Sequence, residues 1–134
     1  LDKANSTKKK EFIDMAKVSC FKVLDRDSLN GDANFKLATI YYNNGANIIM
    51  KTMTLDTPID SIPIYEEMAN KLFLQSLPFM QRAFKSKPHC PKIIEGLMGI
   101  YYSLNDEENF KKYKALFDKL TEDIQKGLIK EDCI

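Results

Sequence analysis

Residues 37–42 read Leu-Ala-Thr-Ile-Tyr-Tyr, and residues 97–102 read Leu-Met-Gly-Ile-Tyr-Tyr. Leu37, Ile40, Tyr41 and Tyr42 thus return as Leu97, Ile100, Tyr101 and Tyr102 at a constant offset of 60 residues. Both segments have helical spacing, so the matches point to a duplicated helical unit. Such units bury their apolar faces by stacking on one another, and the stack offers a surface to a partner before it offers a catalytic cleft.

With 134 residues, 44% hydrophobic and 29% charged, the chain has the length and apolar content of one domain with its own core. A net charge of +1 gives no electrostatic basis for binding nucleic acid or an anionic membrane. The run Lys8-Lys9-Lys10 reads as a solvated helix face. No apolar stretch approaches the ~20 residues of a membrane span. The chain opens on Leu1 rather than Met, as expected of a processed form or an excised piece of a longer protein, and an upstream export signal is compatible with that.

The apolar periodicity predicts five helices and no strand, an all-α class. The first spans about residues 7–25, with Phe12, Met15, Ala16, Cys20, Val23 and Leu24 on one stripe. Asn30-Gly31 offers a turn, and Asp32 can cap the second helix. That helix carries Leu37, Tyr41, Ile48 and Ile49, with a stripe running towards Met53. Asn44-Gly45 could end it. Gly45 itself falls on the stripe, however, where a missing side chain permits close packing, so the helix is expected to continue.

Residues 57–63, with Pro58 and Pro63, form a connection. A third helix over about residues 62–85 places Tyr65, Met68, Leu72, Phe79, Met80 and Ala83 at helical spacing, with a kink expected at Pro78. A short fourth helix over about 91–104 carries Ile94, Leu97, Met98, Tyr101 and Tyr102. Asn105 with Glu108 reads as a capping box for the last helix, whose face is Phe110, Tyr113, Phe117, Leu120 and Ile124 and whose end is Gly127.

Catalytic patterns are weak. His89 and Cys90 are sequence neighbours on a loop, whereas a nucleophile and its base must converge across a fold. Cys20, His89, Cys90 and Cys133 lack the spacing of a zinc site. Three cysteines cannot all pair within one chain: Cys20 reads as a buried thiol, Cys133 as part of a frayed tail, and the redox compartment stays open. Glu66-Glu67, Glu107-Glu108 and Glu122-Asp123 are helix neighbours diverging by about 100°, poor acid–base dyads. No phosphate loop or nucleophile elbow is present, and no cofactor is implied. The sequon Asn5-Ser6-Thr7 carries little weight.

The chain resembles tetratricopeptide-repeat proteins. Leu37, Ala38, Tyr41 and Gly45 follow the first-helix pattern of that family; Ser76, Met80, Ala83 and Pro88 follow the second-helix pattern. Leu97 and Tyr101 open a further unit in which Met98 replaces the small residue and Asn105 the glycine, while Phe110, Lys114 and Phe117 depart from the pattern. Ala16, Cys20 and Val23, with Ser28 at the proline position, look like the second helix of a preceding unit. The usual repeat is about 34 residues. The spacing of 60 therefore requires an extended middle hairpin. Asn34 and Ile94 stand where the family usually has an aromatic. The long hairpin, the Ile-Tyr-Tyr-Asn-Asn-Gly run and Leu77-Pro78-Phe79-Met80 are most similar to repeat proteins of Bacteroidetes-type bacteria, in which such domains are often exported.

The resemblance implies an α-α superhelix of about five antiparallel helices whose first helices line a concave groove. By register, the groove positions are Asp32, Phe35, Thr39, Tyr42 and Asn43, then Lys92, Glu95, Gly99, Tyr102 and Ser103, with Lys36 beside them. The resulting expectation is a non-enzymatic module that binds a protein or peptide, exported to the periplasm or envelope. Rigid aromatics with flanking charges suit such contacts. The alternative is a structural role, as the C-terminal cap of a longer array or as a homodimerisation module.

Overall fold

A computed structural model of the protein describes residues 2–52, 54 and 56–133, with side chains described from Thr7 onward. It consists of five α-helices: α1 Asp2–Arg26, α2 Gly31–Lys51, α3 Ile62–Ser86, α4 Pro91–Ser103 and α5 Glu107–Gln125. A 3-10 turn, Ile59–Ser61, leads into α3. There is no strand among the described residues. Each helix packs antiparallel on its neighbour in sequence, and α2 also reaches α4. Met53 and the side chains of Asn5 and Ser6, to which the sequence drew attention, lie outside the described residues.

The face that α1 turns inward differs from the expected stripe. Cys20 is buried with Ala33 and Leu37 of α2, and Leu24 packs against this cluster. Phe12, Met15, Ala16 and Val23 are exposed. Apolar residues sit on two sides of α1, and periodicity alone cannot choose between them; the position of α2 does. The cap of α2 is Asn30 rather than Asp32: its side-chain oxygen accepts the Ala33 N–H at 2.9 Å. Gly31 already occupies the first helical position, which moves the cap upstream, and Asp32 pairs instead with Lys36 at 3.1 Å. Buried Asn34 closes the corner, donating to the Ser28 and Asn30 carbonyls at 3.0 and 2.9 Å.

α2 does run through Asn44-Gly45. Gly45 is buried, and a Cβ there would sit 2.8 Å from the Phe73 ring of α3. Close approach of α2 and α3 is sealed by a buried hydrogen bond, in which Ser76 Oγ donates to the Ala38 carbonyl at 2.6 Å. The innermost positions of α3 are Ala69, Phe73, Ser76, Met80 and Ala83. The expected Tyr65, Leu72 and Phe79 are half-buried beside them, and Met68 is exposed. The helix is continuous through Pro78. Pro78 and Leu74, whose carbonyl loses its donor, both lie on the exposed side, so water can replace the missing bond.

The main core joins α2, α3 and α4, with Ala38, Met80, Ala83, Ile93, Leu97, Ile100 and Tyr101 buried together. α5 lays Phe110 and Tyr113 against it, and Leu120 is buried further along the same face. Asn105 is not the cap of α5. It has φ 58° and ends α4: its N–H bonds to the Tyr102 carbonyl at 3.1 Å, and the Asp106 N–H bonds to that of Tyr101 at 2.9 Å. This paired closure is the Schellman motif, whose left-handed residue is Gly or Asn. Asp106 then caps α5 by accepting the Asn109 N–H at 3.2 Å, so no Asn105–Glu108 capping box forms. Gly127, at φ 74°, closes α5 with the same motif, the Leu128 N–H reaching the Asp123 carbonyl at 2.9 Å.

Beyond α5 the chain folds back rather than fraying. Cys133 forms a disulfide with Cys90 at the entry to α4, and the pairing is reinforced by the Asp132 N–H on the His89 carbonyl and by Lys87–Asp132 at 3.3 Å. Ile129 lies over Phe84, Ile94, Leu116 and Leu120, lining one apolar hollow with them. The sequence separation of 43 removes unfolded-state entropy worth about 4 kcal/mol at 25 °C in the chain-entropy picture. The sequence hid this pairing because the two cysteines are distant along the chain, and only the return of the tail brings them together. Cys20 is the free thiol, buried, its pKa raised chiefly by that burial.

Candidate functional site

Three hollows follow one another along the line between α2 and α4, and a fourth continues them at the α4–α5 corner. The first, about 170 Å³, is lined by Asp32, Phe35, Lys36, Cys90, Lys92 and Ile93. The second shares Phe35 and Lys92 and adds Thr39, Tyr42, Met80, Glu95, Gly96 and Gly99. Tyr42 carries the line into a third, with Ala46, Ile49, Met50, Phe73, Tyr102, Ser103 and Asn105. Tyr102 and Asn105 pass it to a fourth of about 450 Å³, with Asp106, Glu107, Phe110 and Lys111. Each shares lining residues with the next, so the four lie side by side as a segmented furrow.

The physics of its floor begins with two glycines. A Cβ on Gly96 would run into the Met80 thioether, and one on Gly99 would lie 3.3 Å from the Tyr42 hydroxyl. Their bareness lets side chains of α2 and α3 lie across α4. Tyr42 also rests on Phe73, ring centres 5.4 Å apart. Tyr42 is thus half-buried in the floor, whereas Tyr102 is 72% exposed and meets Phe110 at the edge of the core, ring centres 5.8 Å apart. Thr39 turns its hydroxyl back to the Phe35 carbonyl at 2.8 Å, which leaves its methyl for the furrow.

Charge lies at both ends. Lys92 sits over the Phe35 ring at 5.2 Å and bridges α4 to α2, a cation–π contact. Lys36 is held above the usual lysine range, first by its hydrogen bond to Asp32 and then by the charge of that carboxylate. At the far end Asp106 lies below the usual carboxylate range because the Asn109 side chain and N–H both donate to it. An aromatic middle between mixed charges can hold an extended segment with an apolar centre and charged ends.

Of the residues assigned to the groove by register, Asp32, Phe35, Lys36, Thr39, Tyr42, Lys92, Glu95, Gly99, Tyr102 and Ser103 all line this furrow. Asn43 does not line these hollows. It is exposed, one residue past Tyr42 and therefore about 100° around α2 from α4. Register missed Met80, Gly96 and Phe73 in the floor and Phe110 and Lys111 at the end. Gly96, three residues before Gly99, was the available signal.

Several of the other chemical candidates have structural partners. Cys90 is disulfide-bonded and carries no free thiol beside His89. Glu67, Glu122 and Asp123 each pair with a lysine four residues away. No cluster of metal-ligating side chains occurs among the described residues, and among them no helix is long and apolar enough to cross a membrane. In comparisons with family models, curated proteins and solved structures, the chain has no match.

Proposed function

We propose that this protein is a non-enzymatic, tetratricopeptide-like module that binds an extended segment of another protein in the α2–α4 furrow. The observation that carries the reading is the succession of four adjoining hollows, from Asp32 and Lys92 to Tyr102 and Lys111. It is supported by the buried pair Leu37 and Leu97, each fully enclosed at the corresponding position of its helix. The stretch of α2 from Asp32 to Ile49 is ~27 Å long at 1.5 Å per residue, which matches about eight residues of extended peptide. The disulfide is consistent with an oxidising compartment, and we place the module among exported proteins on that basis together with the resemblance.

Peptide-display selection on the oxidised protein, followed by calorimetry, tests the proposal. Selected peptides should have an apolar centre, and should bind more weakly to Tyr102→Ala and to Lys92→Glu, both changes at the rim of the furrow. Peptides that bind both variants as tightly as the parent would place the site elsewhere. A second reading, a terminal cap of a longer array, draws on the polar face of α5, where Lys112, Lys114, Asp118 and Lys119 are exposed.

A further inference from the structure

The returning tail meets the turn between α3 and α4 through three attachments of unequal strength. Cys133 is bonded to Cys90, the Asp132 N–H donates to the His89 carbonyl at 3.3 Å, and the Asp132 carboxylate pairs with Lys87 at 3.3 Å. The hydrogen bond is long, and the ion pair is solvent-exposed on its carboxylate side, where such pairs contribute little. Upstream, the Ile129 N–H shares the Asp123 carbonyl with that of Leu128, at 3.4 Å against 2.9 Å. Ile129 is half-buried, whereas Leu128, Lys130, Glu131, Asp132 and Cys133 are exposed. Ordering this segment costs conformational entropy that one half-buried side chain and weak polar contacts do not offset. The disulfide therefore decides whether the tail stays.

Beneath the tail the surface is apolar. Ile129 lines its hollow with Phe84 of α3, Ile94 of α4, and Leu116 and Leu120 of α5. Among the described residues, none beyond α5 belongs to either core cluster, so the core does not depend on the tail. The two sulfurs also differ in access. Cys90 is 1% exposed, whereas Cys133 stands on the exposed tail. Exposed disulfides are the ones that exchange readily. The Glu131 carboxylate, 3.7 Å from the Cys133 sulfur, slows an anionic attacker without enclosing the residue.

We infer that residues 129–133 form a redox-released strap: a dithiol reductant opens the Cys90–Cys133 bond, the strap swings away about Gly127 and Leu128, and the apolar hollow over α3, α4 and α5 is uncovered while the helices stay folded. This device does not rest on the furrow. The reductant's thiolate attacks the Cys133 sulfur, and the electron pair of the broken S–S bond leaves on Cys90, which takes up a proton. The reductant's second thiol then displaces Cys133 from the mixed disulfide. The protein gains two thiols, and the reductant becomes a disulfide.

Treating the folded full chain with dithiothreitol tests this. Reduction should proceed without denaturant and leave the far-UV circular dichroism unchanged. Backbone amides of residues 129–133 should then exchange hydrogen about tenfold faster or more. Binding of the apolar dye ANS should rise as the hollow opens, and reoxidation should reverse both changes. Cys133→Ser should behave in the same way with no reductant present. A bond that yields only in denaturant, a tail that stays as protected after reduction, or unchanged dye binding would each overturn the inference. Loss of the helical signal on reduction would do so as well, since the bond would then be a staple of the whole fold.

Discussion

The α2–α3 hairpin and the α4–α5 hairpin begin from the same signature and part company eight residues past its leucine. In the first, that position is Gly45, inside a helix of 21 residues; in the second it is Asn105, beyond a helix of 13. The glycine serves proximity, since Phe73 occupies the space a side chain would need. The asparagine serves reversal, since its left-handed backbone closes the Schellman motif. The next residues complete each choice. Ala46, Ile48 and Ile49 give α2 further residues to half-bury, whereas Asp106 at once caps α5. A position that looks equivalent in a repeat can therefore hold two residues for unrelated physical reasons.

The strongest way to break the comparison is at its shared leucines. Leu37→Ala and Leu97→Ala should each cost about 4 kcal/mol in denaturant unfolding, because both side chains are fully enclosed. A large difference between them would show that one hairpin unfolds separately. The tyrosines sharpen the contrast. Tyr101, buried between Tyr113 and the core and bonded from Gln81 at 3.1 Å, should cost about 3 kcal/mol on change to alanine. Tyr102→Ala should stay within about 0.5 kcal/mol. In the first hairpin the two effects should converge, since Tyr41 stacks on Phe79 and Tyr42 packs on Phe73, both half-buried.

Gly45→Leu should then cost about 2 kcal/mol by overpacking against Phe73, measured as a shift in the urea midpoint. An unchanged midpoint would mean that α2 and α3 can part there without loss. At the corresponding site, Asn105→Ala should cost about 1 kcal/mol and Asn105→Gly should be neutral or slightly stabilising, because φ 58° penalises Cβ. The smallest effect concerns pH. Asp106 has its pKa lowered in the folded state, so its contribution is present above the ordinary carboxylate range and lost as pH falls through its folded value. Asp106→Asn should flatten that acid limb of the stability profile relative to the parent.

Helix number, the continuation through Gly45, the run through Pro78 and the inward face of α5 are legible from spacing, because each rests on contacts a few residues apart along one helix. The caps fall one or two residues from where the sequence suggests: both Asp32 and Asn105 are plausible cap residues, and backbone angles decide between neighbours. The inward face of α1 is ambiguous in sequence, since that helix has apolar residues on two sides: of the expected stripe Cys20 and Leu24 face α2, whereas Phe12, Met15, Ala16 and Val23 face out. Ten of the positions assigned by register line the hollows, because these follow the helix axes. Met80 and Phe73 do not follow from register, as they enter the hollows from α3, and neither does the Cys90–Cys133 bond, which depends on the path of the tail.

That bond has a mechanical consequence. It closes a ring of chain that holds all of α4 and α5. Tension applied beyond Cys133 passes through two sulfur atoms directly to Cys90, next to the end of α3, and the α4–α5 hairpin hangs outside the load path. The half of the furrow built from Lys92, Gly99 and Tyr102 would therefore keep its shape while the rest of the molecule bears the strain. With the bond reduced, the same pull would first lift Ile129 from its hollow and then peel α5 from α4.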